Sequence, residues 1–434
     1  MNKLNNFENF INHFYIIFNE LKKMQSSSIE DISTIVQEKM FFLGQKFLES
    51  WFSETIGTGF EGSIIKDNEV EYRYNGLLEK NYITILGNIT LKRAYYYSKE
   101  KNTGFYPIEN KYSFLKDMCF PEVKDLICYG SCEEPYEKTK ELLNRFSKIN
   151  VSTSEIQKIT KEIGRKLVKN EENAIKTDYE YMSSKKIIDK LVISMDGAMI
   201  NTYEGWKEVK SGVIYEVEKG KTELKSKNKT FVSRIEDSET FGNRMKCEAR
   251  KRNYLEAKEL IVIGDGARWI WELANKEFPR SIKIIDWYHA KEHIYNIIEL
   301  LYGNRDGKEG NIFAEKCSNL LYDGKIKELE EEIELKIREL NIYENVSNLI
   351  KVQTEIDYFK KNEEKMQYKS FEEKGYPIGS GIIEATCKQL VQLRLKRNGM
   401  KWEKEGAHCV LQIRCHYLSN RWDEVKNAIK TKSA

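Results

Sequence analysis

The chain has 434 residues, of which 40% are hydrophobic and 12% aromatic, and it contains only 5 prolines and 25 glycines. This composition excludes disordered, collagen-like and proline-rich proteins, and the length is typical of two or three domains. The 71 basic and 68 acidic residues nearly cancel, so any surface for nucleic acid must come from the distribution of charge.

The first 20 residues predict an amphipathic helix, because apolar side chains recur at helical spacing among polar ones. A signal peptide would need a basic start and a continuous apolar run instead. No stretch approaches the ~18 apolar residues of a membrane-spanning helix. We therefore expect a cytoplasmic protein without a membrane partner, whose eight cysteines are reduced thiols.

Two runs rich in β-forming residues, 82–86 and 89–97, flank Gly87 and Asn88. This pattern predicts a β-hairpin whose turn is formed by the Gly-Asn pair. We expect the hairpin to be structural.

Residues 137–149 and 155–169 have helical periodicity and are separated by a short polar break. The second helix carries Lys158, Lys161 and Arg165 outside its apolar stripe. This outline fits a helix-turn-helix that binds DNA. It also fits an ordinary helical hairpin with a solvated basic face, which is the simpler interpretation of these residues alone.

Beyond a polar connection at 171–187, the pattern predicts a mixed α/β fold. Three strands and a helix come first, and alternating strands and helices follow. The expected elements are strands at 190–195, 206–218, 230–235, 260–263 and 282–285, and helices at 238–253, 267–278 and from 288 onward. We expect an N-terminal helical region at 1–180, a catalytic domain at 187–300 and 376–422, and a charged helical insertion at 301–375.

Two aspartates follow buried strands of this predicted sheet. Asp196 comes directly after residues 191–195, and Asp265 follows residues 260–263 and lies between two glycines. Each alone is typical of a turn. Because open α/β sheets place their sites at the carboxyl ends of strands, we expect the two carboxylates to lie close together. Two close anions are costly without a cation, so the pair indicates a divalent metal.

A third acid, Glu384, follows the Gly379-Ser380-Gly381 turn, and no further acid occurs before Glu403. Two aspartates and a glutamate could hold Mg2+, with Mn2+ as a substitute, for phosphodiester chemistry. The intervening stretch, which we expect to be a basic helix beside a phosphate backbone, carries Lys388, Arg394, Lys396, Arg397 and Lys401.

The segments around the three acids, with the chain that follows them, resemble bacterial DDE-type insertion-sequence transposases of the Kra and Lre groups. The similar segments are 194–198, 204–210, 262–267, 376–384, 395–402 and 406–407. The resemblance covers about residues 120–420. It implies an RNase H-like catalytic domain with Asp196, Asp265 and Glu384 as metal ligands, and it favours the helix-turn-helix interpretation of 137–169.

The same resemblance implies an enzyme that uses Mg2+ to cut and join DNA. Its partners would be the terminal repeats of its own mobile element and the target DNA. We therefore expect a nucleoid-associated protein that forms a homo-oligomer on DNA.

Asp286-Trp287-Tyr288-His289 resembles the [C/D]-x-x-H motif of some of these transposases, which implies that His289 lies near the scissile phosphate. A structural histidine at a helix start is the alternative. His289, Glu292 and His293 also fit the H-x-x-E-H motif of zinc peptidases, a less favoured interpretation that leaves the aspartates unexplained. A non-catalytic DNA-binding protein on a transposase scaffold is the remaining possibility.

Overall fold

The computed structural model describes residues 5–23, 29–67, 69–177, 188–220, 224–305, 307–342 and 346–431. Its contacts divide the chain into two compact units, one formed by residues 1–166 with 422–434 and the other by residues 167–421. The division cuts a helix and does not fall in the polar connection at 171–187, of which 178–187 lie outside the described residues. No helix in the described ranges is long and apolar enough to cross a membrane.

The first unit combines two N-terminal helices, a four-stranded antiparallel sheet and a set of later helices. Its core packs Tyr82, Ile89, Leu115 and Phe120 between the sheet and the helices. The elements are α1 (Asn5–Lys23), α2 (Ile29–Trp51), β1 (Ile64–Asp67), β2 (Val70–Thr84), β3 (Gly87–Ser98), β4 (Thr103–Phe105), α3 (Pro107–Lys111), α4 (Pro121–Glu133), α5 (Tyr136–Ser147) and the start of α6 (Thr153–Lys176).

The predicted hairpin is present, but the predicted position of its turn is wrong. Thr84 pairs with Gly87, so Ile85 and Leu86 form the turn and Gly87 begins β3. The Thr84 hydroxyl donates to the Gly87 carbonyl at 2.9 Å and accepts from the Leu86 amide at 3.2 Å. These hydrogen bonds of Thr84 close the turn two residues earlier than expected. Gly87, the first residue of β3, has a φ of +109°, a conformation that glycine adopts without strain.

The predicted helix pair corresponds to α5 and α6. Lys148, in the left-handed conformation, ends α5, and the Ser152 hydroxyl accepts from the Glu155 amide at 3.2 Å at the start of α6. The side chains of Lys158 and Arg165 are exposed and that of Lys161 is half-buried. The basic face therefore remains accessible to solvent.

Helix α6 continues to Lys176, seven residues beyond its predicted end. The extension is fixed by Glu171, whose carboxylate accepts from Arg234 at 2.6 Å and from Arg244 at 2.8 Å. Burial acts to raise the pKa of Glu171, but the two guanidinium groups lower it below its ordinary value. Sequence periodicity could not predict this extension, because it depends on partners more than 60 residues away.

The second unit is built on a five-stranded mixed sheet, which confirms the predicted mixed α/β class. The strand order is β7-β6-β5-β8-β9, antiparallel from β7 to β5 and parallel from β5 to β9. The elements are β5 (Lys190–Thr202), β6 (Gly205–Lys219), β7 (Leu224–Arg234), α7 (Ser238–Lys251), β8 (Glu259–Gly264), α8 (Arg268–Glu277), β9 (Ile282–Ile285) and α9 (Trp287–Tyr302).

Strand β5 is longer than predicted, so Asp196 lies within it and not after its end. Parallel pairing with β8 stops at Ser194 and Ile263, whereas antiparallel pairing with β6 continues to Thr202. Asp196 therefore still lies at the carboxyl end of the parallel part of the sheet, at the base of a two-stranded ribbon.

The described residues of the predicted insertion form the helices α10 (Lys308–Tyr322), α11 (Ile326–Glu339), α12 (Val346–Asn362) and α13 (Tyr368–Glu373). Each buries an apolar stripe, with Phe313, Leu329, Ile356 and Phe371 among the buried side chains. The charged residues of this segment thus cover helices that have a core of their own.

The chain closes with α14 (Gly381–Cys387), a π-helical turn at Lys388–Gln392, α15 (Leu393–Leu395), α16 (Lys404–Leu418) and α17 (Trp422–Lys430), the last belonging to the first unit. The prediction of one basic helix over 388–401 is wrong, because helical structure ends at Leu395. Gly399 has a φ of +75°, and residues 396–401 form a loop.

His408 on α16 supplies a prediction about pH. Burial, with Arg234 nearby, lowers the pKa of His408 from 6.5 to about 4. Between these values the unfolded chain binds a proton that the folded chain does not, so stability should fall as the pH drops below 6.5, by at most about 1.4 kcal/mol per pH unit. Urea unfolding at pH 7, 6 and 5 should show this slope, and His408→Gln should flatten it. An unchanged slope in the variant would contradict this assignment.

Candidate active site

One cleft of about 170 Å³ brings together the four predicted site residues Asp196, Asp265, Glu384 and His289. They come from β5, the loop after β8, α14 and the first turn of α9. The residues that line the cleft are Met195, Asp196, Asp265, Asp286, Tyr288, His289, Glu292, Ser380, Ile383 and Glu384.

The three predicted ligands are each oriented by a local hydrogen bond. Asp196 Oδ1 accepts from the Gly197 amide at 2.6 Å, and Asp265 Oδ1 accepts from the Ala267 amide at 2.9 Å. The hydroxyl of Ser380 donates to Glu384 Oε1 at 3.2 Å. Each carboxylate is therefore fixed by donors of its own segment.

The first aspartate has an unfavourable electrostatic environment. Burial raises the pKa of Asp196, and the negative charges of Asp265 and Glu384 raise it further. The Gly197 amide and the thiol of Cys387 act in the opposite direction by hydrogen bonding to its carboxylate. Cys387 is buried one turn beyond Glu384 on α14, so this thiol is a neighbour of the site that the sequence did not reveal.

Asp286 organises the cleft in a way that the sequence did not show. Its Oδ1 accepts from the His289 amide at 2.6 Å and caps α9, while its Oδ2 accepts from the Ser380 amide. Its own amide donates to the Gly264 carbonyl at 2.8 Å. Asp286 thus joins three segments of the site: its carboxylate bonds to those of His289 and Glu384, and its amide bonds to that of Asp265.

Helix α12 of the insertion also reaches the second acidic loop. The hydroxyl of Tyr358 is buried without a hydrogen-bond partner among the described residues, and a Cβ added at Gly266 would lie 2.5 Å from it. The Tyr358 ring stacks on His293 with centroids 3.8 Å apart, and His293 Nδ1 lies 2.5 Å from a carboxylate oxygen of Glu355. The approach of the Tyr358 hydroxyl to Gly266, whose φ is +97°, fixes the loop at this position.

The donors of the cleft suit a hard divalent cation, since the three predicted ligands line it together with the carboxylates of Asp286 and Glu292. Within the described residues, however, no group of three or more His, Cys, Asp or Glu side chains is arranged to hold a metal ion. The ligand types therefore fit Mg2+, whereas the carboxylates are still oriented towards their local donors.

The second predicted histidine does not share a site with the first. His293 contacts Glu355 and Tyr358, and its ring meets that of His289 edge-on at 5.2 Å. His289 Nδ1 lies 3.4 Å from Glu292. This geometry gives no support to a zinc site of the H-x-x-E-H type.

The predicted DNA-binding residues after Glu384 differ in exposure. Lys388, Lys396 and Lys401 are exposed and Arg397 is partly exposed. Arg394 is only 1% exposed, and its guanidinium lies over the Trp402 ring at 4.9 Å. We correct its assignment from DNA contact to packing residue, because a buried guanidinium does not reach a phosphate.

Comparison with known proteins places this chain in a family. The chain is similar to the UPF0236 protein TTE2489 of Caldanaerobacter subterraneus subsp. tengcongensis, with 23% identity over 95% of this chain and 83% of the relative. A second relative from that organism is 24% identical over 95% of the chain and 82% of its own length, and its name joins eleven locus labels from TTE0033 to TTE2212. Residues 36–430 match the model of the uncharacterised protein family UPF0236, and the chain belongs to that family.

Proposed function

We propose that this protein is a DNA transposase that cuts and joins DNA at the ends of its own insertion sequence. The observation that carries the proposal is the convergence of Asp196, Asp265, Glu384 and His289 in one cleft. These residues come from segments far apart in the chain. A set of turn aspartates and a structural histidine would have no reason to meet at one edge of the sheet.

The sheet supports an RNase H-like catalytic domain. Numbered from β5, its five strands have the order 3-2-1-4-5, with the first three antiparallel and the last two parallel to the first. This order places the first acid on the central strand, which supports the proposed RNase H-like domain. The helical insertion then separates the third acid from the rest of the domain in sequence.

In this proposal Asp196, Asp265 and Glu384 hold Mg2+, or Mn2+ in its place. The metal ions supply activation of the attacking oxygen and stabilisation of the leaving oxygen in phosphodiester chemistry. Asp286 holds the segments of the second and third acids and of His289 at fixed separation. His289 lines the cleft from the first turn of α9, and in this proposal it donates a hydrogen bond to a phosphate oxygen.

The names of the relatives support a mobile element. Eleven locus labels in one organism share a single protein name, as a gene that inserts copies of itself would produce. Joining two DNA ends requires both to be held at once, so we propose a homo-oligomer on the DNA.

The basic face of α6 is the proposed contact of the helix-turn-helix with DNA. Replacing Lys158, Lys161 and Arg165 by Ala should weaken binding to terminal DNA and lower the salt dependence of log K by up to about 3, because each phosphate contact releases about one counterion. Binding measured between 50 and 200 mM salt tests this. The matched control replaces the exposed residues Lys327, Lys351 and Lys361 of the insertion by Ala, and equal effects of both triple variants would contradict a specific role of α6.

The proposed activity is tested by incubating the purified protein with DNA that carries the ends of its element. We expect strand cleavage at the element boundary in Mg2+ and none in EDTA. Glu384→Gln should bind the same DNA without cutting it. Binding without cleavage by the wild-type protein would favour a non-catalytic DNA-binding protein on a transposase scaffold.

A further inference from the structure

The ribbon formed by the ends of β5 and β6 presents large aromatic side chains to solvent. Tyr203 is 67% exposed in the turn, and Trp206 is 63% exposed directly after it. Met199 is also exposed on this ribbon. Two large rings exposed at one turn are a candidate interaction surface.

The basic loop 396–401 is attached to this turn. The Trp402 amide donates to the Asn201 carbonyl at 3.1 Å, and the Tyr203 amide donates to the Trp402 carbonyl at 3.0 Å. Trp402 Nε1 donates to the Leu395 carbonyl at 3.0 Å and so closes the loop at its base. The ammonium group of Lys401 lies 5.2 Å from the centre of the Tyr203 ring. Aromatic rings and basic side chains thus form one surface, which we call the ribbon-tip surface: residues 203–206 with 396–401.

The charge of the ribbon-tip surface favours a polyanion over a protein partner. Lys401 lies beside the Tyr203 ring, and Lys396 and Arg397 belong to the same loop. Glu204 is the acid at the turn, and it pairs with Lys207 at 3.7 Å. Cores of protein–protein interfaces are depleted in lysine. Surfaces that bind single strands instead combine lysines for the backbone with aromatic rings on which bases stack.

The position of the surface shows which part of the DNA it meets. Tyr203 lies seven residues beyond Asp196 along the same ribbon, which is about 23 Å at the usual strand rise. Successive side chains of a strand point to opposite faces of the sheet. Asn201 lies five residues after Asp196 in β5, so Trp206, which pairs with Asn201, lies on the opposite face of the sheet from Asp196. DNA at this surface would therefore flank the cleft. At the duplex spacing of 3.4 Å per nucleotide the distance corresponds to about seven nucleotides, and an unpaired, extended strand covers it with fewer.

We propose that the ribbon-tip surface binds unpaired bases of the DNA that flanks the cleavage site, with Tyr203 and Trp206 stacking on bases and Lys401 contacting the backbone. The inference rests on the proposed transposase function. It adds a base-stacking contact outside the acidic cleft. This contact separates the two DNA strands next to the cut.

The test uses terminal DNA with 2-aminopurine at single positions within ten nucleotides of the boundary, either fully paired or with an unpaired flank. We expect the wild-type protein to quench the probe at one or two positions within about seven nucleotides of the boundary. Tyr203→Ala with Trp206→Ala should abolish the quenching and weaken binding to the unpaired flank about tenfold. Tyr203→Phe with Trp206→Phe should retain both, and Leu255→Ala, at an exposed position elsewhere, serves as the surface control.

The outcomes separate this inference from the function on which it rests. Normal quenching and affinity in the double Ala variant, with DNA still cut, would overturn the stacking contact alone. A change of oligomeric state in that variant, seen by sedimentation without DNA, would show that the rings contact a second copy of the chain and would also overturn it. Failure of the wild-type protein to bind terminal DNA would overturn both proposals.

Discussion

Asp265→Asn should reduce DNA strand cleavage by at least about a hundredfold while terminal DNA remains bound. The substitution keeps the size of the side chain and the oxygen that accepts from the Ala267 amide, so the loop should retain its conformation. It removes one negative charge from the proposed metal ligands, and metal activation contributes several kcal/mol to phosphodiester cleavage. Labelled terminal DNA, incubated with wild type and variant in Mg2+, measures both binding and cutting.

The control for this experiment is Glu292→Gln, which removes a carboxylate from the wall of the same cleft. Glu292 is not a proposed metal ligand, and Gln keeps a hydrogen-bonding group beside His289 Nδ1, which lies 3.4 Å from Glu292. It should cut DNA far better than the Asn variant. If Asp265 were only a turn residue beside Gly266, Asn would serve nearly as well in that conformation. Near-normal cleavage by a folded Asp265→Asn protein would therefore reject Asp265 as a ligand.

Replacement of Asp286 should produce the second large effect, although Asp286 is not a proposed metal ligand. Asp286→Ala removes the cap of α9 and the bond to the Ser380 amide together. Loss of the cap alone costs about 1 kcal/mol of stability. Release of Ser380 frees the segment that carries Glu384, and a displacement of about 1 Å in a catalytic group costs about a hundredfold in rate.

Asp286→Ser separates the two roles of this residue. Serine is a good helix cap but is too short to reach Ser380 as well. We expect the Ser variant to unfold at a temperature close to that of wild type and to cut DNA as poorly as the Ala variant. Wild-type cleavage by the Ser variant would show that Asp286 acts only as a cap.

Elements with a periodicity of their own could be predicted from the sequence. The strand expected at 282–285 is β9, and the helix expected at 267–278 is α8 to within one residue at each end. Elements whose ends depend on residues distant in the chain could not be predicted from the sequence. Strand β5 continues past Asp196 because β6 pairs with it, although the apolar run ends at Met195.

The acidic residues of the site could be predicted because each has a distinctive local context. The roles of Asp286 and Tyr358 in organising the site could not be predicted. They depend on contacts with Ser380 and Gly266, each of which lies more than 90 residues away in the chain from its partner. For Asp286 one signal was present, since an aspartate three residues before His289 is the spacing of a helix cap. Charge alone misassigned Arg394, because the sequence does not show the Trp402 ring that covers it.

The most direct test of metal-dependent strand cleavage in this cleft is a sulfur substitution at the scissile phosphate, made as separate diastereomers once the cleavage position is mapped. If the carboxylates hold metal ions against that phosphate, one diastereomer should be cut much more slowly in Mg2+ and regain its rate in Mn2+, which accepts softer ligands than Mg2+ does. Equal cutting of both diastereomers in Mg2+, or a loss that Mn2+ does not restore, would contradict metal contact with the phosphate and with it the mechanism proposed for Asp196, Asp265 and Glu384.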